Sequence, residues 1–567
     1  MKKIILSLMA GMVLFTSCDL LNPNPLADFT EDNFFTSETN VEMYCNYFYN
    51  EWSSYGNNGS YGDFYFPNLN DNQAVTGLSG WGFMAVSASD GTWNACYQEI
   101  RRANILLKHI DEIDMPAASK NYYKGLAHLY RGWQHFCLVR KFGDCYWVDA
   151  ELTTENTDIL YGKRHNRNLV MDNVLADLNY AIENMGDKNA SSRTAYNVHV
   201  ANAIKSRVCL FEGSYAKYHQ NDAARANTYF EAAELASEAL INNGMFALTP
   251  GAEGYRANYN SLDLAGNTEM IMYKKYVRGV LAHATQDYCC ASTQTNGLSK
   301  AAFNAYLMKD GSLPTGEDKG TLGTDGYDAG KPVIYDLVAA RDPRLGQQID
   351  GYLAYVGNGR KRYEGMPGQE TVAENTVSTG YGILKFDEPE TPGQFRQATN
   401  GPETDGPVFW LAEIILNHAE ACAEQGGKDA EAIASLNKLR TRAEMPAYKD
   451  QTDPANNMNV SNLIWEIRRE RRVELMFDIN DRYWSLIRWH QLDKLDTEKY
   501  PDQTKGAWIE KGWPIDLNSV KLTNGDYGYI ECNTTGAHRK FEEKHYLAPI
   551  PSGQIALNPE IGQNPGW

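Results

Sequence analysis

The chain has 567 residues, a formal net charge of −19, 43% hydrophobic residues and 12% aromatics. That apolar content can fill a large core, and the charge argues against nucleic acid and against docking on anionic lipid through a basic patch. It also disfavours strongly acidic polysaccharides and leaves neutral ligands as the easier match.

The N-terminus reads as an export signal. Lys2 and Lys3 precede an apolar run from Ile4 to Phe15, followed by Thr16-Ser17-Cys18. The run is too short for a membrane span, which needs about 20 residues. A cysteine directly after small residues marks a bacterial lipoprotein signal, cut before Cys18 and acylated on its thiol. The expected organisation is a signal peptide over 1–17, a lipid-anchored tether over 18–28 and a single domain over 29–567. The tether reaches at most about 35 Å at about 3.3 Å per residue. The other nine cysteines have no repeated spacing and no CxxC, so neither a zinc site nor any cofactor is expected. Most sit among apolar neighbours as small buried hydrophobes. Cys289-Cys290 leaves two readings open, a vicinal disulfide facing a ligand or two unpaired thiols.

Residues 55–83 interleave Tyr55, Tyr61, Phe64, Tyr65, Phe66, Trp81 and Phe83 with Asn57, Asp63, Asn70 and Asp71. Rings on which a sugar face can rest, beside planar polar groups for its hydroxyls, suit a glycan. Trp81 stands on a Gly-flanked loop and is the preferred platform. Trp93, at helical spacing, reads as core. Helices follow by period at 94–110, 122–142, 169–184, 196–218 and 222–242, the last ending before Gly244. Between 245 and 407 Gly, Asn, Tyr and Thr dominate, predicting long loops with short strands. Two polar–aromatic clusters stand out there. One is Asp287-Tyr288-Cys289-Cys290 with Asn296, and the other is Tyr381 with Arg396.

Helices resume at 408–425 and 428–443 around Gly426-Gly427. This two-helix unit, with alanines at close-packing positions, is of tetratricopeptide type. The fold class is therefore mostly α, a tetratricopeptide-like helical-repeat scaffold with long loops and short strands inserted. Helices at 461–478 and 481–494 complete it. In the first of these, Glu466, Glu470 and Glu474 alternate with Arg468 and Arg472. That predicts a lattice of i,i+4 ion pairs of about 0.2–0.5 kcal/mol each. No G-x-S-x-G, H-E-x-x-H, phosphate loop or metal-ligand cluster occurs, no acidic pair stands out, and His283 and His418 read as structural or surface residues. The chain reads as a non-enzyme.

The C-terminus carries a resemblance. His545-Tyr546-Leu547-Ala548-Pro549-Ile550-Pro551, then Asn558 through Trp567 (NPEIGQNPGW), resembles the closing signature of the SusD/RagB family of Bacteroidetes outer-membrane lipoproteins. Arg341-Asp342-Pro343-Arg344-Leu345, the Arg-rich stretch Arg468–Trp489 and Leu129–Gly143 resemble three further family elements in the expected order. Asp478-Ile479, where the family usually has Glu-Gly, and Ser485, where it has Asp, depart from the pattern. The resemblance implies a surface lipoprotein, anchored in the outer membrane and facing outward. It would capture an oligosaccharide and deliver it to a SusC-like TonB-dependent transporter. It also implies a ligand site built from an early loop plus the insertion. The residues chosen for that site are Trp81, Asp63, Tyr65, Asn70, Asp71, Tyr288, Cys289, Cys290, Asn296, Tyr381 and Arg396. The paired cysteines beside Tyr288 resemble fructan-binding members, making levan the leading ligand. The alternatives are a peptide-capturing, RagB-like relative and, behind it, a glycoside hydrolase.

Overall fold

A computed structural model describes residues 34–57, 62–64, 70–75, 81, 84–287, 296–314, 334–353, 367–370, 377–396, 398, 400–479, 481–510 and 521–567. Cys18 and the tether, Tyr65, Tyr288, Cys289, Cys290 and the side chain of Asn296 lie outside them.

Helix α1 (Glu38–Cys45) is capped by Ser37. The first repeats are α2 (Gly91–His109), α3 (Ala117–Phe142) and α4 (Arg167–Met185). Asp90 starts α2 by accepting from Thr92 N and Trp93 N, which supplies two otherwise unpaired helix N–H groups with an acceptor. Gly143, at φ +76, turns the chain away from α3 in a conformation that favours glycine. Helices α3 and α4 approach closely because α3 has no side chain at the crossing. A Cβ on Gly132 would come within 3.2 Å of Asp177, and one on Gly125 within 2.7 Å of Met185. Helices α5 (Val198–Tyr218) and α6 (Ala223–Ile241) form the next pair, and Phe230 packs against the bare face of Gly213.

Helix α7 (Gly251–Asn260) opens the insertion. Its strands make two-stranded antiparallel ladders. These are β1 (Gln73–Val75) with β3 (Asn296–Leu298), β2 (Met270–Lys274) with β6 (Gly406–Trp410), and β4 (Ile349–Leu353) with β5 (Tyr381–Ile383). Strand β7 (Lys505–Glu510) pairs with β8 (Tyr527–Glu531) later in the chain. Helix α8 (Leu411–Gln425) packs on α6. Then come α9 (Asp429–Arg442), α10 (Asn462–Glu474) and α11 (Asp481–Arg488). Trp93 is buried in the main core, and all seven cysteines of the described residues are buried free thiols. Among the described residues no helix is long and apolar enough to cross a membrane.

Two expectations need correction. The helix expected over 461–478 stops at Glu474, and Phe477 and Ile479 turn the chain at φ +69 and +36. Ile479 thus stands in left-handed backbone, which suits the glycine usual there in the resembling family. The ion pairs of α10 do not run mainly along its own face. Its charges are buried between neighbours and pair across elements instead. Glu466 meets Arg440, Glu470 meets Arg440 and Arg344, and Glu474 meets Arg442 and Arg344. Arg468 meets Glu424, and Arg471 meets Glu420. Arg344, gripped also by Asp342 at 2.6 Å, explains why the RDPRL stretch and the Arg-rich helix go together. Breaking such a buried pair costs about 3–5 kcal/mol, an order above an exposed i,i+4 pair.

The tail is held by more than packing. Ile550 and Ile561 are buried, but side-chain amides also fasten the segment. Asn564 Nδ2 donates to Phe142 O (2.9 Å) and Ala548 O (2.7 Å), and Asn558 Nδ2 donates to Gly162 O (2.8 Å). Gln563 exchanges two hydrogen bonds with the backbone of Ile550. The Asn564 amide thereby satisfies the Phe142 carbonyl at the open end of α3, which the helix cannot satisfy itself.

Candidate functional site

The β1–β3 ladder joins the early loop to the insertion, with Val75 opposite Asn296 and Gln73 opposite Leu298. The loop leading into it is tightly organised. Asn70 Oδ1 accepts from Asn72 N (2.9 Å) and Gln73 N (3.0 Å), which turns the chain into β1. Asp71 takes a bidentate grip from Arg482, both bonds 2.7 Å, and Arg472 stands 3.3 Å away. Burial alone would raise the Asp71 pKa, but the two guanidiniums pull it well below the usual carboxylate range.

Asp71 forms one wall of a cavity of about 440 Å³ whose other charged walls include Arg468, Arg469, Arg472, Lys494 and Lys499, with Asp453 and Asp502. Burial holds the guanidinium pKa values of Arg469 and Arg472 down to about 10. Asp63 accepts from Ser54 N at 2.8 Å, and its burial raises its pKa. Tyr381 is buried face to face with Phe303, centroids 4.7 Å apart. Arg396 is fully buried, paired with Asp387 and donating to the carbonyls of Pro389 (3.0 Å) and Thr391 (2.8 Å). Gln286 reaches the Thr391 hydroxyl at 3.1 Å and so adjoins the Arg396 loop. Tyr55 and Phe64, counted among the loop aromatics, are core. Tyr55 packs edge-on to Phe64 and donates to Tyr259 O at 2.6 Å.

Trp81 is placed differently. It is half-buried and stacks on His545, centroids 4.3 Å apart and planes 15° apart. Its carbonyl accepts from Met84 N at 2.8 Å, and Met84 lines a cleft of about 250 Å³. The cleft walls include Tyr483, Trp484 and Tyr546, with Asp90, Thr92 and Lys141 as polar groups. Arg140 lies over the Trp484 ring at 4.4 Å and holds it as a platform. The sequence reading missed Trp484 and Tyr483 because they lie within the Arg-rich stretch. The signal was the Tyr-Trp pair itself, at the start of a short amphipathic helix. Rings with hydroxyl and charged partners around a partly open space suit non-covalent binding of a polyhydroxylated ligand.

Residues 256–567 match the family described as "SusD family", and residues 2–210 match one described as "Starch-binding associating with outer membrane". A SusD-like protein of Bacteroides ovatus is 22% identical over all of this chain and 98% of its own length. A solved SusD-like carbohydrate binding protein of Bacteroides fragilis is 20% identical. It covers 93% of this chain and all of its own, with a TM-score of 0.67. A structure solved with a xylogluco-oligosaccharide covers 92% of this chain and 97% of its own at 16% identity and a TM-score of 0.61.

Proposed function

The chain belongs to the SusD family, and from that premise we propose that it is a cell-surface glycan-binding lipoprotein that captures oligosaccharides and passes them to a SusC-like TonB-dependent transporter. The family match over more than half the chain carries this reading. The relatives' descriptions as starch- and carbohydrate-binding, and one solved with an oligosaccharide, support it. Residues 1–17 act as signal peptide, Cys18 as the acylated anchor and 18–28 as the leash. The remainder is one ligand-binding domain on the outer face of the outer membrane. It performs no bond chemistry. Affinity comes from ring stacking and hydroxyl hydrogen bonds.

Trp81 and the Trp484 cleft form the described part of the ligand surface, and Tyr65, Tyr288, Cys289, Cys290 and Asn296 complete it. Asp63, Asn70, Asp71, Tyr381 and Arg396 set the geometry of that surface through the internal bonds described above. A neutral fructan such as levan is the first ligand to test. Affinity electrophoresis across a panel of neutral polysaccharides, levan included, is expected to show retardation by at least one. Trp81→Ala is expected to weaken that retardation at least tenfold, about 1.4 kcal/mol. Binding of peptides with no glycan retardation would replace this reading with the peptide-capturing one. Unchanged affinity in folded Trp81→Ala would remove Trp81 from the site.

A further inference from the structure

Helices α6 and α8 face each other through two i,i+4 pairs of metal-ligating side chains. Glu234 and Glu238 lie on α6, and His418 and Cys422 on α8. Residues four apart share one helix face, so each helix presents two donors to the other. Donor atoms of Glu234, His418 and Cys422 all lie within 4.8 Å of one another, and all three residues are buried. Cys422 Sγ is 3.7 Å from His418 Nε2, which in turn is 3.7 Å from Glu238 Oε1. Donors on a tetrahedral zinc ion stand about 3.5 Å apart, given metal–ligand bonds of about 2.0–2.3 Å.

The surrounding groups orient these donors as metal ligands are usually oriented. Ser435, on α9, lies 2.9 Å from His418 Nδ1. With the proton on Nδ1 donated to that hydroxyl, Nε2 carries the free lone pair. Gln425 Nε2 (2.8 Å) and Lys428 Nζ (2.5 Å) both hold Glu234 through Oε2, which leaves Oε1 to turn toward the thiol. Glu238 is 44% exposed along its side chain and marks the way in from solvent.

We propose that Glu234, Glu238, His418 and Cys422 bind one divalent transition-metal ion, zinc by preference, and so clasp α6 to α8. The donor set selects the ion. A thiolate and an imidazole suit zinc, whereas calcium and magnesium take all-oxygen shells. On binding, the Cys422 proton leaves to solvent and the sulfur bonds the metal. Two carboxylates and one thiolate then balance the ion's two positive charges and the Lys428 ammonium. Such a closed shell, with no position reserved for water, makes the ion structural. The site shares no residue with the cleft lined by Trp484 and stands independently of the glycan reading.

The test uses the full mature chain, stripped with chelator and titrated with Co²⁺ as an optical probe. One equivalent is expected to produce a thiolate-to-cobalt charge-transfer band with tetrahedral d–d intensity, and Zn²⁺ should bleach it. Cys422→Ser is expected to abolish the charge-transfer band, and Cys209→Ser, another buried thiol, to leave it intact. Glu238→Gln, partly exposed and therefore safe for folding, is expected to weaken cobalt binding about tenfold. Zinc should raise the melting temperature of the parent chain and raise it less in Glu238→Gln. No thiolate band in the folded parent chain, a band that persists in Cys422→Ser, or undiminished affinity in Glu238→Gln would each overturn the proposal.

Discussion

Glu420, on α8, is a heavily loaded carboxylate among the buried arginine pairs. Its Oε2 accepts from Arg488 Nη2 (2.7 Å) and Arg471 Nε (3.2 Å), and its Oε1 from Trp489 Nε1 (2.6 Å) and Arg488 Nη1. Burial alone would raise its pKa. The Arg488, Arg471 and Arg468 charges reverse that and hold it down to about 2, against an ordinary 4.5 for a glutamate. A difference of that size stabilises the fold by roughly 3 kcal/mol. Because the folded pKa is the lower one, the contribution is fully present above the unfolded pKa. It is lost as the pH falls through about 2. Glu420→Gln keeps the shape, removes the charge and turns an N–H₂ group toward donors. The expected cost near neutral pH is about 3–5 kcal/mol. Unfolding entropy of about 2.1 cal/mol/K per residue converts this to a fall of about 3–4 °C in the melting temperature of the 567-residue chain. Calorimetry on parent and variant near neutral pH and near pH 2 measures it. The gap should shrink by more than half in acid. No shift, or a shift equal at both pH values, would refute the electrostatic account.

Two further outcomes follow from the packing. Gly213→Ala sets a Cβ 2.7 Å from the Phe230 ring, so the α5–α6 pair should lose about 1–3 kcal/mol, read as a lower denaturant midpoint; an unchanged midpoint would mean the ring moves freely. Asp71→Asn leaves Arg472 and Arg482 without their buried countercharge. It should cost about 3 kcal/mol, open residues 70–75 to protease and weaken glycan affinity; parent-like protease resistance with unchanged glycan affinity would remove Asp71 from the groups that set the ligand surface.

The helices were legible because their apolar periods are long and their ends carry ordinary signals, such as Asp90 and the Gly426-Gly427 turn. The insertion was legible only as a change of character, since β1, β3 and β5 are three residues long and β1 pairs with β3 across more than two hundred positions. The charges of α10 misled for a related reason. Spacing along one helix shows which side chains are neighbours, but not that Arg344 and Arg440 arrive from elsewhere to claim them. Aromatic density in 55–83 pointed to a binding loop, yet Tyr55 and Phe64 turned inward, because residue type alone does not tell a platform from a plug. His418 looked isolated in sequence. Its partner Cys422 is visible at i+4, but Glu234 and Glu238 become partners only once α6 and α8 are known to pack.

The hydrogen bonds of Ala548 and Asn564 to the end of α3 have a consequence for the timing of folding. Carbonyls at the end of α3 are satisfied by residues some 400 positions later, Phe142 by Asn564 across a separation of 422. The first repeat therefore cannot finish until the last residues of the chain arrive. A chain still being made keeps that helix end open, and closes it only once Asn564 has emerged. Long-range closure of this kind is slow, and it leaves the end of α3 open until the tail docks.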